Sequence, residues 1–550
     1  MGIKITVILF TFAFCTFAAT MSMLVPAVDA DGGGRLVNIS VDVREGDGTI
    51  YISTKPLVGV DTQASERIAV EKAFEMVGID RAGHDVLFKI EDMGGSDLID
   101  GPSGGAAMTL LTYASLTNST INEKITMTGS IRKDGKIGGV GGLVKKVKIC
   151  ADGRFSPILV PLEHEVYEEI MLEQLTRRWG VKVYYVENIR EVINISIFGE
   201  MPKGIEERSI LDAGYSAKKI PKESAEFIEG AYTNDLRNIG RKMIADARSI
   251  LSNEKDEDAK VIDYFKSKLD VAERLLDMGY IYTGANDAFL TLIDARWLMY
   301  DNVTTADSLV SEVEACVSGI PKKDKTYENF DWVGGAELRG TWAEVKLSEV
   351  KSAPYRDEED TLLAMRDLMY VKGWCESAHK MLNATDPKGN PIDENALKAI
   401  VEERMKKLEA LRFDDADLRW HLKAARHSYS KGRYVAAMFD LDYVESALAL
   451  ENNLTESTNA SFNKKYTSFW ADIYGTHAAY YSLTGDYTTA SRLRNFAERI
   501  ENSTIGMRNI FMGGGRLVNE TRVASLLAIA CLITALALIL TKVEGDGKGS

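Results

Sequence analysis

Ser103 is the residue whose setting most invites chemistry. It stands in Asp100-Gly-Pro-Ser-Gly-Gly-Ala-Ala-Met108, a glycine-rich turn running into an apolar stretch that reads as a helix. A hydroxyl at a helix N-terminus has backbone N–H groups beside it, ready to hold a developing oxyanion. The segment also satisfies G-x-S-x-G, the nucleophile-elbow pattern. An elbow follows directly on a buried strand, whereas residues 92–100 read as a loop, and none of the six histidines has a recognisable triad setting. An esterase is therefore a weak reading. Downstream lie Met127-Thr-Gly-Ser-Ile131 and Gly138-Gly-Val-Gly-Gly-Leu-Val-Lys-Lys146.

Taken in order, these three segments resemble the proteolytic domain of the Lon family. That family carries a D-G-P-S-A-G nucleophile loop, a strand ending in M-T-G-E/S-I, and a G-G-L-x-x-K turn bearing a catalytic lysine. The resemblance covers about residues 35–200 and implies a Ser–Lys dyad. Ser103 would attack a peptide carbonyl, and Lys146, 43 residues further on, would take the hydroxyl proton. A free lysine has a pKa of ~10.4, so a base at neutral pH needs a drop of roughly three units, about 4 kcal/mol. Burial against Val144 and Val147 is the expected source. Thr128 is the position implied to orient the lysine. Asp100 is given a supporting role, with a surface helix cap as the equal alternative. Lys145 is read as a solvated charge. The chain departs from the family pattern in having Gly104 after the serine and no histidine in Val86-Leu-Phe-Lys-Ile90. It also lacks a G-x-x-x-x-G-K-[ST] phosphate loop, so any proteolysis is expected to be ATP-independent and directed at unfolded or extended protein.

The remaining composition narrows the partners. The 550 residues carry 66 Lys and Arg against 81 Asp and Glu, a net charge of −15, which argues against nucleic acid as a ligand. Five cysteines without a C-x-x-C exclude a disulfide-dense scaffold and give no zinc motif. Cys150, Cys316 and Cys375 allow at most one internal disulfide. His421 and His427 are six apart and do not share a helix face. No metal or cofactor is expected.

The termini suggest a compartment. Residues 1–30 have the layout of a secretory signal, with cleavage after Ala30 or, alternatively, retention as an anchor. Residues 523–541 form an uncharged stretch expected to be a transmembrane helix, followed by a cytoplasmic tail at 542–550. N-x-S/T acceptor sites occur at Asn38, Asn118, Asn194, Asn302, Asn383, Asn453, Asn459, Asn502 and Asn519. Chance predicts about three, so the excess places residues 31–522 outside the cytoplasm, as in an archaeal cell-surface glycoprotein.

Period-two alternation over 37–43, with Ile50-Tyr-Ile52, 86–90, 125–131, 157–161 and 181–186, predicts strands. Helices are expected over 65–77, 104–116 and from 144 to 151. The expected fold is an α+β Lon-like domain over 31–200, a linker at 201–225, then an all-α helical-hairpin ectodomain over 226–515 and the membrane helix. Turns resembling those of tetratricopeptide hairpins are expected at Gly284, Gly432 and Gly485. Together these features point to a membrane-anchored serine endopeptidase, with a ring-shaped homo-oligomer left open. Its rival is a non-catalytic surface scaffold or receptor that retains the fold.

Overall fold

A computed structural model describes residues 20–28, 33–55, 57–92, 98–99, 101–213, 220–252, 259–298, 306–353, 358–411, 413, 415–451 and 465–512. The chain divides into two compact units, Met1–Gly214 and Tyr215–Ser550.

The first unit is mixed α/β. Its main sheet has the order β1 (Met21–Val28), β2 (Gly34–Glu45), β5 (His84–Asp92), β3 (Ile50–Lys55). β1 and β5 each run antiparallel to β2, and β3 runs parallel to β5. The alternation in β2 explains its placement: Val37, Ile39, Val41 and Val43 are buried, while Asn38 and Ser40 between them are not. Two-residue strands β4 (Leu57–Val58) and β6 (Leu98–Ile99) pair with one another. Helices α1 (Val60–Val77) and α2 (Gly105–Thr117) pack together, and Phe74, Leu110 and Leu111 join Val86, Phe88 and Ile90 of the sheet in one core.

A second, parallel sheet has the order β11 (Val183–Val186), β10 (Ile158–Pro161), β7 (Thr126–Met127). The single strand expected at 125–131 is two short ones, β7 and β8 (Ser130–Ile131), and β8 pairs with β9 (Ile137–Gly138). The break falls after Thr128, at Gly129, whose N–H bonds Ser103 O and whose C=O accepts from Ala106 N. α3 (Leu143–Asp152), α4 (Val166–Trp179) and α5 (Ile189–Ile193) complete the unit.

Two features differ from expectation. β1 occupies residues assigned to the signal segment, yet Met23 and Val25 are buried and Leu24 O accepts a bond from Thr126 Oγ1 at 2.6 Å. Cleavage after Ala30 would remove a strand of this sheet. The expected linker is also partly structured. Ile205 and Leu211 are buried, and Arg208 pairs with Glu191 at 2.8 Å within the first unit.

The second unit is all helical: α6 (Ala231–Leu251), α7 (Ala259–Asp277), α8 (Ile281–Leu298), α9 (Ala306–Ser318), α10 (Phe330–Ser352), α11 (Glu358–Asn383), α12 (Lys398–Ala410), α13 (Ala416–Ser430), α14 (Tyr434–Glu451), α15 (Phe469–Leu483) and α16 (Tyr487–Met512). Neighbours in sequence pack as hairpins, notably α7 with α8, α13 with α14 and α15 with α16. Gly432 and Gly485 turn two of these with φ of +74° and +90°. Gly284 does not turn a hairpin. It lies inside α8, where a Cβ would meet Ala272 O at 2.6 Å, so its smallness lets α7 and α8 approach; the turn is made by Gly279, φ +90°. A Cys316–Cys375 disulfide ties α9 to α11.

The expected fold class is corrected at its last element. Among the described residues no helix is long and apolar enough to cross a membrane, because the long helices carry charged residues along their length. The stretch 523–541 and the tail 542–550 lie outside the described residues. The architecture is an α/β unit followed by an all-helical one.

Candidate active site

Ser103 sits in a single 3-10 turn, Pro102–Gly104, that leads straight into α2. The turn is latched from two sides. Ser103 O accepts from Gly129 N at 2.9 Å, and Ala106 N donates to Gly129 O at 3.0 Å. From α1, Thr62 Oγ1 donates to Gly101 O at 3.1 Å and Ser65 Oγ donates to Pro102 O at 3.2 Å. Gly101 has φ +121°, a region that L side chains rarely adopt, so glycine is required where the chain swings into the turn. Gly105 is required for another reason, since a Cβ there would lie 2.4 Å from Ser65 Oγ. These latches fix the serine backbone while leaving its side chain half-buried.

Lys146 comes from the second turn of α3, which starts at Gly142 in the left-handed region (φ +64°). The side chain is buried, and burial pulls its ammonium down to about 8. The Glu168 carboxylate and Cys150 pull the other way and are outweighed. Cys150 is a buried free thiol, one turn further along α3, with its own pKa pushed well up by burial. Lys145 is only partly buried.

Ser103 and Lys146 line one cavity of about 290 Å³. Gly101, Pro102, Gly104 and Met108 form one side of it, Gly139 to Gly141 another, and Val25 to Val28 of β1 a third. No direct hydrogen bond joins the two side chains among the described residues, a common looseness for catalytic pairs before substrate binds. Thr128 is buried, with its N–H bonded to Leu159 O at 3.0 Å, but its Oγ1 has no hydrogen-bond partner and does not bond Lys146. Gly104 lines the cavity; a Cβ on it would meet only Met108 Cε at 3.3 Å and Ile39 Cδ1 at 3.4 Å. Asp100 lies outside the described residues.

Sequence reasoning missed Glu66. It lies on α1 beside the two residues that latch the nucleophile turn, is fully buried, and has no partner for either carboxylate oxygen. Burial pushes its carboxyl up to about 7. A lone glutamate in a helix reads from sequence as solvent-facing, so only the flanking Thr62 and Ser65 hinted at it.

Among the acceptor asparagines, Asn118, Asn383 and Asn502 are exposed, and Asn38 and Asn194 are half-buried. Asn302, Asn453, Asn459 and Asn519 lie outside the described residues. Cys316, Cys375 and His379 bring their ligand atoms within 4.8 Å of one another, but both sulfurs are spent in the disulfide.

A serine on a helix-leading turn, sharing a cavity with a lysine that burial drives toward its neutral form, defines a serine-type peptidase domain. Residues 27–199 match the family described as the Lon protease (S16) C-terminal proteolytic domain. Relatives named Lon protease include that of Buchnera aphidicola subsp. Acyrthosiphon pisum, 28% identical over 175 residues, 30% of this chain and 21% of that one. The Ureaplasma parvum serovar 3 protein is 30% identical over 185 residues, 32% of this chain and 22% of its own. The Haemophilus influenzae protein is 28% identical over 179 residues, again 32% and 22%. The chain thus spans about a fifth of the length of the curated relatives it matches.

Proposed function

We propose that the chain is an ATP-independent endopeptidase that hydrolyses unfolded or extended protein with Ser103 and Lys146. The observation that carries this is the pairing of a turn-held serine and a buried lysine in one cavity. Neutral Lys146 Nζ accepts the Ser103 Oγ proton as Oγ bonds the substrate carbonyl carbon. The C–N bond then breaks, and the proton passes from the ammonium to the leaving amine. Water repeats the sequence in reverse: Lys146 takes its proton, the hydroxide attacks the ester, and Ser103 leaves with the proton returned. N–H groups at the start of α2 are the available oxyanion donors. These proposed steps use only Ser103, Lys146 and water, and none of them requires nucleotide.

An extracytoplasmic site of action is part of the proposal. It is supported by the Cys316–Cys375 disulfide, which persists in oxidising compartments, and by exposed acceptor sites at Asn118, Asn383 and Asn502.

The test incubates the chain with casein, without nucleotide, beside Ser103→Ala and Lys146→Met, and scores fragments by mass spectrometry. Cleavage by the wild type alone is expected. No cleavage by any of the three, all folded, would favour the scaffold reading instead.

A further inference from the structure

The helical unit contains a cavity of about 220 Å³ that the peptidase chemistry does not use. Its walls are mostly aromatic, with Trp342, Trp470, Tyr443 and Tyr474 among them. Aromatic walls this dense normally close on each other as core. Here they enclose space, and the polar groups set among them are incompletely paired.

Asp440 is the first. It is 1% exposed, and one carboxylate oxygen, Oδ1, is occupied by His421 Nδ1 at 2.8 Å and Trp342 Nε1 at 3.1 Å. The other, Oδ2, is buried with no hydrogen-bond partner. Arg339 is the second. Its guanidinium donates to Gly335 O at 2.8 Å and lies 4.8 Å from the centre of the Trp470 ring, but no carboxylate pairs with it among the described residues. Asn286, a third wall residue, makes no side-chain hydrogen bond among the described residues.

His421 and Trp342 satisfy one oxygen of Asp440, and Gly335 O and the Trp470 ring meet part of Arg339, but the second carboxylate oxygen and the guanidinium charge each keep capacity for a further partner. In the same unit Lys325 shows full pairing, met by both Glu337 and Glu394. The two wants at this cavity are complementary: a donor cation for Asp440 and an anion for Arg339, on an aromatic body. The volume is below the ~300–1,000 Å³ usual for drug-sized ligands, which limits the occupant to something small.

We propose that this cavity binds a small zwitterion with an aromatic body, of the class of aromatic amino acids and their dipeptides. Its ammonium is recognised at Asp440 and its carboxylate at Arg339, while the ring stacks among Trp342, Trp470 and the tyrosines. A neighbouring cavity of about 230 Å³ shares Tyr282, Asn286, Arg339 and Trp342 as walls, which gives a second residue somewhere to go. The site does not depend on the peptidase reading, because it is defined by binding.

The test is calorimetry on the full chain carrying Ser103→Ala, so that no probe is hydrolysed. The probes are L-phenylalanine, the dipeptide Phe-Phe, N-acetylphenylalanine (anion only), phenylalaninamide (cation only) and N-acetylphenylalaninamide (neutral). At least one zwitterion is expected to bind about tenfold or more tighter than the neutral probe. Which zwitterion wins distinguishes free amino acid from dipeptide. Arg339→Met is expected to weaken the anion-only probe about tenfold and spare the cation-only probe; Asp440→Asn does the reverse. The probe series on the otherwise unaltered chain stands even if a variant fails to fold. Equal binding of neutral and zwitterionic probes, no binding of any probe, or an Arg339→Met chain that keeps its affinity for the anion-only probe would overturn the proposal.

Discussion

The two units differ in where they leave buried charge unpaired, although the α/β unit also pairs Arg208 with Glu191 and His164 with Glu169. In the helical unit, Lys325 is met by Glu337 and Glu394, Arg404 by Asp442 and Glu445, and Glu344 by Arg433 and His427, all with contacts of 2.6–2.9 Å. In the α/β unit, Lys146 is buried with its charge disfavoured, and Glu66 is buried with both oxygens unpartnered. Thr128 Oγ1 is equally unpartnered. Paired buried charges fix helices against each other. Unpaired ones cost stability and persist where chemistry uses them. By that measure the region around Ser103 and Lys146 is the reactive one, while in the helical unit Asp440, met by His421 through one oxygen, keeps the other without a donor beside a cavity.

The largest expected effect breaks the comparison at its centre. Lys146→Met abolishes casein cleavage, a loss of about 10³-fold or more. It also stabilises the fold at pH 7. The lysine sits at about 8 when folded against 10.5 in its ordinary state, so the unfolded chain binds more protons between those values. Below pH 8 both forms are protonated and the folded state bears the full desolvation cost, on the order of 2–3 kcal/mol. The gain from Met is therefore complete at pH 7 and fades as pH rises from 8 to above 10, which chemical denaturation across pH will show.

A paired charge responds with the opposite sign. Lys325→Met leaves Glu337 and Glu394 facing each other and is expected to cost about 3–5 kcal/mol in the denaturation of the full chain. Equal behaviour of the two lysine variants would dissolve the contrast between the units.

Glu66→Gln sharpens it with a smaller effect. The folded carboxyl titrates at about 7, above its ordinary 4.5, so wild-type stability falls between those pH values, where only the unfolded chain has lost the proton. The Gln variant lacks that fall. Its advantage grows across this window and levels off above pH 7, at on the order of 2 kcal/mol. A flat difference with pH would show that Glu66 finds a partner in solution.

Gly104→Ala, the residue the family pattern carries, is the smallest. The new methyl meets only the flexible ends of Met108 and Ile39, and φ at −86° suits alanine. Stability is expected to move by no more than ~0.5 kcal/mol, with cleavage rates close to wild type.

Much of the site was legible because its signals are local. The glycines around Ser103, the Thr128-Gly129 pair and the Gly142 start of α3 are backbone requirements that only certain residues meet. The strands at 37–43 and 86–90 were legible from alternation. β1 was not, because Met21-Ser-Met-Leu-Val-Pro-Ala-Val28 continues an apolar run that reads as one leader segment. The interruption of the 125–131 strand was hidden because it is made where Gly129 N leaves the sheet to bond Ser103 O, a tertiary contact and not a local breaker. Glu66, Asp440 and Lys325 look alike in sequence, each a charged residue on or beside a helix. Which are paired and which are stranded depends on neighbours 12 to 98 residues away, and no local pattern records that.

The central claim is that a burial-neutralised Lys146 serves Ser103 as its base, and one profile tests it most directly. The rate of casein cleavage per mole of the full chain, without nucleotide, is measured from pH 5.5 to 9.5 with substrate below saturation. The account predicts a rise with pH, with an apparent pKa near 8 set by Lys146, and loss of the entire profile in Ser103→Ala. A rate independent of pH across that range, or a profile that survives in Ser103→Ala, would contradict it.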